Sequence, residues 1–286
     1  MRYAIVGGDR RAVLLARQLW REGQRVHSFA LEKAELPAEI PKDTNLQSCA
    51  YGADCVILPV PSEKGGYLNA PLGLRPVAME EVFAGLWPGQ LVCGGKFSGE
   101  SVAAALRAGL RVEDVLRRPD FAVGNAAITA EGALGLLLRE SEKTLLHSRC
   151  LVAGWGRIGK PLALRLAALG AAVTVAARSR KDRAEAEALG LRAYDFGALE
   201  GVAGEMDFVV NTAPARVLGD ALLCCLPPDA LLLELASPPG GFDPVLAKNI
   251  GLKTLAAPGL PGQSAPYAAA QLLKRTVEQV MNEQED

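Results

Sequence analysis

The stretch that most narrows what this chain can fold into is Cys150–Ser179. An apolar run ends in Gly154-Trp155-Gly156-Arg157-Ile158-Gly159, an apolar helical stretch follows to Gly170, and a second apolar strand runs Val173–Ala177. Strand, glycine turn, helix and strand at this spacing are the pattern of a dinucleotide-binding βαβ unit. Each glycine has its own task. Gly154 makes the tight turn, Gly156 lets the backbone approach a pyrophosphate, and Gly159 lets the helix pack on the strand. The pyrophosphate is expected on the helix N-terminus, where unpaired N–H groups and the helix dipole favour an anion. The expected cofactor contacts here are Gly154, Gly156, Arg157, Ile158 and Gly159.

The end of the second strand bears on which dinucleotide. A carboxylate there accepts from the 2′-hydroxyl of NAD and repels the 2′-phosphate of NADP. The chain instead has Ala176, Ala177, Arg178, Ser179, Arg180 and Lys181, with no acid before Asp182. Arg178, Ser179 and Arg180 suit a phosphate, so NADP is the expected cofactor. Further on, Asn211, Thr212 and Pro214 follow another strand and are expected beside the nicotinamide.

Of the 286 residues, 50% are hydrophobic and only 5% aromatic, which suits a parallel sheet buried under helices. The net charge of −1 gives no global basic field, so a nucleic-acid partner is not expected. The six cysteines, Cys49, Cys55, Cys93, Cys150, Cys224 and Cys225, lack CxxC spacing. They are expected to be buried thiols in a reducing cytosol, neither disulfides nor metal ligands. A strand starting at Arg2 argues against a signal peptide, and no uninterrupted apolar run of bilayer length is apparent. The tail after Lys274 is polar and acidic at its tip and is expected to fray.

The N-terminus repeats the same unit. Tyr3–Gly7 reads as strand and turn, Arg11–Arg21 as a helix, Gly23 as its end and Arg25–Phe29 as a strand; Gly7 to Gly23 is the interval of Gly154 to Gly170. Later segments pair off in order: Asp54–Pro61 with Asp207–Pro214, Trp87–Gly94 with Leu226–Leu233, and Ala108–Val112 with Ile250–Thr254. The fold class is therefore α/β, with two doubly wound parallel-sheet (Rossmann-like) domains. The expected divisions are a substrate domain over 1–122, an inter-domain helix within 123–147, and a dinucleotide-binding domain over 148–264. A C-terminal helix, 265–286, is expected to return to the first domain, giving two crossings and a cleft. The helical run is expected over Asn125–Glu142.

The two copies differ in the turn. With Gly7 matched to Gly154, Asp9 falls on Gly156, and a carboxylate there repels pyrophosphate. The first domain is thus expected to hold a substrate at the carboxyl ends of its strands. Candidate substrate contacts are Gly8, Arg10, Ser62, Gly95 and Lys96, with the Gly7–Gly8 and Gly94–Gly95 amides as anion donors. Asp9, Lys96 and Glu131 are candidate catalytic groups. Asp9 is equally suited to capping the next helix. Glu131, inside an apolar helix, needs a partner or water. The two-domain plan resembles D-2-hydroxyacid dehydrogenases, which use a histidine–carboxylate pair beyond the cofactor strands. This chain has two histidines, His27 and His147, and none later, so that acid/base device is excluded.

Several segments together resemble the family of dipicolinate synthase A subunits of spore-forming bacteria. They are Gly7-Gly8-Asp9-Arg10, Asn125–Gly132 with Glu131 inside it, Gly154–Gly159, Glu234–Gly241, and Pro258–Pro266. The chain departs from the family's pattern after Gly262, where Gln263 and Ser264 stand in place of a basic residue and its follower. The resemblance implies oxidation of a dihydrodipicolinate to pyridine-2,6-dicarboxylate with hydride transfer to NADP. That is an oxidoreductase acting on a CH–CH or CH–NH group of a cyclic dicarboxylate. It implies a flavoprotein-like B subunit as partner and a cytoplasmic setting in the mother cell during sporulation. Apart from the resemblance, a homo-oligomer is expected, with no metal and no membrane. Two other readings stand beside it: an NADP-dependent dehydrogenase of shikimate or methylene-tetrahydrofolate layout, and a non-catalytic regulatory protein that binds NADP.

Overall fold

The computed structural model describes residues 1–283. In chain order the first elements are β1 (Arg2–Val6), α1 (Arg10–Arg21), β2 (Arg25–Phe29), α2 (Leu46–Ala50), β3 (Cys55–Ile57), a small hairpin of β4 (Glu63–Lys64) and β5 (Tyr67–Leu68), α3 (Met79–Ala84), β6 (Leu91–Gly94), α4 (Gly99–Arg107) and β7 (Arg111–Asp114). The long helix α5 (Pro119–Glu140) follows. Then come β8 (Arg149–Ala153), α6 (Gly159–Ala168), β9 (Ala172–Ala176), α7 (Arg180–Ala188), β10 (Arg192–Tyr194), α8 (Glu200–Ala203), β11 (Phe208–Asn211), α9 (Asp220–Cys225), β12 (Leu231–Glu234), α10 (Pro244–Asn249), β13 (Lys253–Ala256), α11 (Leu260–Ser264) and α12 (Pro266–Asn282). The chain divides into two compact units, Met1–Asn125 with the segment from Ala265 onward, and Ala126–Ser264.

Both units are doubly wound. The first sheet has the order β2-β1-β3-β6-β7 and the second β10-β9-β8-β11-β12-β13, all parallel. The first lacks the edge strand that β10 supplies in the second; there the chain makes only a single parallel bridge, Ser28 to Lys42. Side chains alternate across each sheet. Tyr3, Ile5 and Ile57 join α1 and α12 in one core, while Ala4, Val6 and Val56 join α3 in the other. In the second unit Cys150 and Val152 face α6, and Leu151 and Ala153 face α9. This two-faced burial accounts for the near-continuous apolar strands.

The helix expected over Asn125–Glu142 begins six residues earlier, at Pro119, and ends at Glu140. Proline fits the first turn of a helix, where its missing N–H is no loss, and it holds Arg118 extended (φ −76°, ψ 125°). Helix α5 also has the length and apolarity of a membrane span, with a mean hydropathy of 1.5, although Asn125 and Glu131 interrupt the apolar run. Its apolar face has a protein partner: Ala126, Ala130, Ala133 and Leu137, spaced by four, three and four, are buried in the second unit or beside it. Helix α12 runs to Asn282 without fraying at Lys274, because Leu273, Val277, Val280 and Met281 are buried. The acidic tip at 284–286 lies outside the described residues. Cys49, Cys55, Cys93 and Cys150 are buried, but Cys224 and Cys225 are exposed, because they close the short surface helix α9.

Candidate functional site

The register of the second sheet sets Ala153 between Ala176 and Asn211, so the turn after β8 emerges between the ends of β9 and β11. Gly154 has φ +112°, in the region open to glycine. A Cβ on Gly159 would lie 2.1 Å from the Gly154 carbonyl oxygen, so helix and strand meet there only through glycine. A Cβ on Gly156 would meet nothing within 4 Å. The Gly156 carbonyl accepts from the Lys160 amide at 3.1 Å, in the turn that leads into α6, whose cap is Ile158. Among the described residues the amides of Gly156, Arg157 and Ile158 have no hydrogen-bond acceptor. Open space over Gly156 and unpaired amides at a helix N-terminus fit a pyrophosphate. The turn is braced from behind. Trp155 is buried and donates from Nε1 to Glu185 (3.3 Å), and Lys160 pairs with the same carboxylate (2.6 Å) while lying over the indole.

At the end of β9, Arg178 and Arg180 are exposed and form no ion pair among the described residues, and neither does Arg157. Ser179 caps α7, accepting from the Asp182 amide. Arg183 holds the loop from below by donating to the carbonyls of Ala177 and Arg178 and to Asp195. Asn211 is fully buried, with its amide bonded to the Ala213 carbonyl (2.9 Å) and Glu234 (2.7 Å). Its side chain is therefore a brace and is not offered to a nicotinamide. Glu234 also accepts from the amides of Ala236 and Gly241, tying the Glu234–Gly241 loop to the strand ends. Thr212 donates to the Ala153 carbonyl beside Gly154, and Pro214 is exposed.

The first unit's turn uses the same plan with different occupants. Val13 N–H donates to the Asp9 carbonyl and Asp9 caps α1, whereas the cap of α6 is Ile158, two residues beyond Gly156. The amides of Gly7 and Gly8, expected as anion donors, already donate to the carbonyls of Phe29 (2.8 Å) and Asn69 (3.0 Å). Leu68 lies over Gly7, where a Cβ would meet it at 2.8 Å. The β4–β5 hairpin thus covers the turn at Gly7, the counterpart of Gly154, and Gly8 has no donor left for a substrate.

Asp9 caps α1 by accepting from the Arg11 amide (2.9 Å), and its carboxylate is gripped by the Arg11 guanidinium from Nε (3.0 Å) and Nη2 (2.8 Å). Burial pushes the Asp9 carboxyl up, but the hydrogen bonds and charge of Arg11 outweigh it and hold the group below the usual carboxylate range. Such a carboxylate is a fixed acceptor and a weak base. A pocket opens beside it, lined by Gly8, Asp9 and Arg11 after β1, by Pro59 and Val60 after β3, and by Phe121 and Asn125 of α5. Arg10 is exposed on the first turn of α1 and does not line this pocket.

Ser62 and Gly95 are bound to each other. Ser62 N–H donates to the Gly95 carbonyl, and Gly95 N–H donates to Ser62 Oγ, whose own proton goes to the Pro59 carbonyl. Ser62 is fully buried, so both residues are corrected from substrate contacts to a clasp between two loops. Lys96 follows, exposed and without an ion pair among the described residues, at φ +60°. Its amide donates to both oxygens of Asp114 (3.1 Å each), which hold it in that conformation. Glu131 belongs to the second unit, is largely exposed, and pairs with Arg165 (3.2 Å). Its partner in an apolar helix is thus a surface arginine.

Sequence reasoning did not single out Arg11 over Arg10, nor Phe121, Asp114 and Glu234. The helical phase of α1 is the signal for Arg11: Ala12, Leu15, Ala16 and Leu19 mark the buried face. Glu234 left a fainter one, as a carboxylate ending an apolar strand, whereas Asp114 ends the largely charged strand Arg111–Asp114 and left none.

Residues 2–116 match the family described as the N-terminal domain of the dipicolinate synthase A subunit. Residues 112–233 match the NAD binding domain of D-isomer specific 2-hydroxyacid dehydrogenases. The chain is 30% identical to the dipicolinate synthase A subunit of Bacillus subtilis (strain 168), over 99% of its own length and 96% of the relative's. The crystal structure of the Bacillus subtilis A subunit superposes with a TM-score of 0.86 at 28% identity, covering 99% of this chain and 96% of that one. The crystal structure of the A subunit from Bacillus halodurans gives 0.87 at 24% identity, covering 98% and 97%.

Proposed function

Given that this chain belongs to the family of dipicolinate synthase A subunits, we propose that it is the dehydrogenase component that oxidises a dihydrodipicolinate to pyridine-2,6-dicarboxylate, with hydride transfer to NADP. The observation that carries the reading is the contrast between the two turns. In the second unit, open space and unpaired amides surround Gly156. In the first, the equivalent place holds the Asp9 carboxylate, and a hairpin covers the neighbouring Gly7. One unit is built for a dinucleotide, and the other for something smaller.

The substrate is a dianion, so its domain needs fixed cations. Arg11 and Lys96 lie on the first unit at the carboxyl ends of the sheet, the usual place for ligands in open α/β sheets. Oxidation removes one hydride and one proton, and aromatisation of the ring drives it. The nicotinamide, when bound, supplies the hydride acceptor. The proton needs only a modest base. Pairing with Arg11 makes Asp9 a poor one, which leaves Lys96 and Glu131 as the groups to separate by pH profile. Arg157, Arg178 and Arg180, with Ser179, are the proposed contacts of the cofactor's phosphates, and Arg178 that of the 2′-phosphate. The first unit is the proposed substrate domain and the second the NADP domain. The B subunit is the proposed partner, in a homo-oligomeric, cytoplasmic enzyme of the sporulating mother cell.

The test is direct. The purified chain, with and without its B subunit, is incubated with dihydrodipicolinate and either NADP or NAD. Dipicolinate is followed by its ultraviolet absorbance. Product formed faster with NADP is expected. No product from a folded pair of subunits refutes the reading.

A further inference from the structure

The sheet order of the first unit, β2-β1-β3-β6-β7, reverses direction between β1 and β3. In open parallel sheets the crevice at such a switch point is where ligands lie. The pocket described above sits there, between the turn after β1 and the loop after β3. Its one lining cation is Arg11, whose side chain is only 14% exposed.

The bonding of that cation is one-sided. A guanidinium has five N–H donors. Asp9 takes the Nε–H and one Nη2–H, side-on. The two Nη1–H groups and the second Nη2–H have no acceptor among the described residues, and together they form an end-on fork that matches a second carboxylate. Phe121, Pro59 and Val60 are the pocket's apolar lining; its free volume of about 20 Å³ holds little more than a water, so a ring must widen it on entry.

We propose that Arg11 grips one carboxylate of a planar ring dicarboxylate in the β1/β3 pocket, and that Asp9 is the positioning residue that holds the guanidinium side-on for it. The inference rests on the functional reading above and refines it. It moves the carboxylate anchor from Arg10 to Arg11, and takes Asp9 out of proton transfer.

The experiment measures binding to the full chain, by calorimetry, of pyridine-2,6-dicarboxylate and pyridine-2-carboxylate. The proteins are wild type, Arg11→Lys, Arg11→Gln, Asp9→Asn and the Arg11→Gln/Asp9→Asn pair. The pair leaves no unpaired charge at the site, so it is expected to fold even if Arg11→Gln does not; NADP affinity and thermal unfolding check each protein. Wild type is expected to prefer the dicarboxylate by 10-fold or more (estimated from one charge-assisted bidentate contact, about 1.5–3 kcal/mol). Loss of the fork is expected to weaken dicarboxylate binding roughly 10- to 100-fold and to bring the preference near unity, with Arg11→Lys in between. Asp9→Asn is expected to weaken binding in the wild-type background and to have no further effect once Arg11 is Gln.

Unchanged dicarboxylate binding in the folded pair overturns the assignment of Arg11. An Asp9 effect that persists without Arg11 overturns the positioning role. If wild type still forms dipicolinate in either case, the functional reading stands and this inference alone falls. Wild type that binds neither acid and forms no product overturns both.

Discussion

Three residues carry separable tests. Arg178 lies two residues beyond β9 with its guanidinium unpaired among the described residues, so its proposed task is the 2′-phosphate. Arg178→Ala is expected to raise KM for NADP about 10-fold or more while leaving that for NAD nearly unchanged; equal change in both removes the assignment. Asp9 makes an acid-side prediction. Its carboxyl is held below the unfolded value of about 4. The stability it contributes is therefore fully present above that value and is lost as pH falls through the lower, folded one. Wild type should lose stability on the acid limb more steeply than Asp9→Asn, as read by urea unfolding at a series of pH values. Lys96 sits at φ +60°, where a side chain costs of order 1 kcal/mol, partly offset by the greater chain entropy of glycine when unfolded. Lys96→Gly should leave thermal stability unchanged or slightly raised and weaken dicarboxylate binding. A marked drop in stability would show that the lysine serves the fold.

The element proposed to govern cofactor binding is the turn between β8 and α6. Its glycines do different work, and single alanines tell them apart. At Gly159 the added Cβ would strike a backbone oxygen at 2.1 Å, so Gly159→Ala should cost about 1–3 kcal/mol or more and lower the unfolding temperature. At Gly156 the added Cβ meets nothing, so Gly156→Ala should fold like wild type and lose dinucleotide affinity, read as Kd. Equal affinity in Gly156→Ala and wild type would move the pyrophosphate elsewhere. The matching element of the first unit, between β1 and α1, shows the alternative use of the same geometry. There a capping carboxylate satisfies the helix N-terminus from within.

On the scale of the whole molecule, each unit has its own sheet and its own cores, two per unit. Helix α5 runs from one into the other, beginning before Asn125 and ending after Ala126. Ligands confined to one unit should therefore stabilise that unit's transition preferentially. Scanning calorimetry with NADP at about 100 times its Kd should add roughly 2.7 kcal/mol to the transition of the second unit, and dipicolinate should act on the first. A single transition that both ligands shift equally would show that the units unfold as one.

Much of this molecule was legible in the sequence because the relevant physics is local. A glycine with positive φ, an apolar strand before it and an apolar helix after it are neighbours in the chain. Gly154, Gly159 and the repeat at Gly7 could thus be read without a structure. So could the α/β class, since strands buried on both faces must be apolar throughout. What the sequence did not show depends on partners distant in the chain. Asp114 reaches Lys96 across 18 residues, and Glu234 reaches Asn211 across 23, only because sheet register puts their strand ends side by side. The carbonyl of Asn69 removes Gly8 from the set of donors because a hairpin loop folds back over the turn. The choice between Arg10 and Arg11 is of the same kind. Both are basic and adjacent, but the burial of one face of α1 rotates Arg11 toward the pocket and Arg10 to solvent. Sequence determined which chemistry was present, and tertiary packing decided which groups remain unpaired to use it, because a donor already satisfied by the fold has little left to give a ligand.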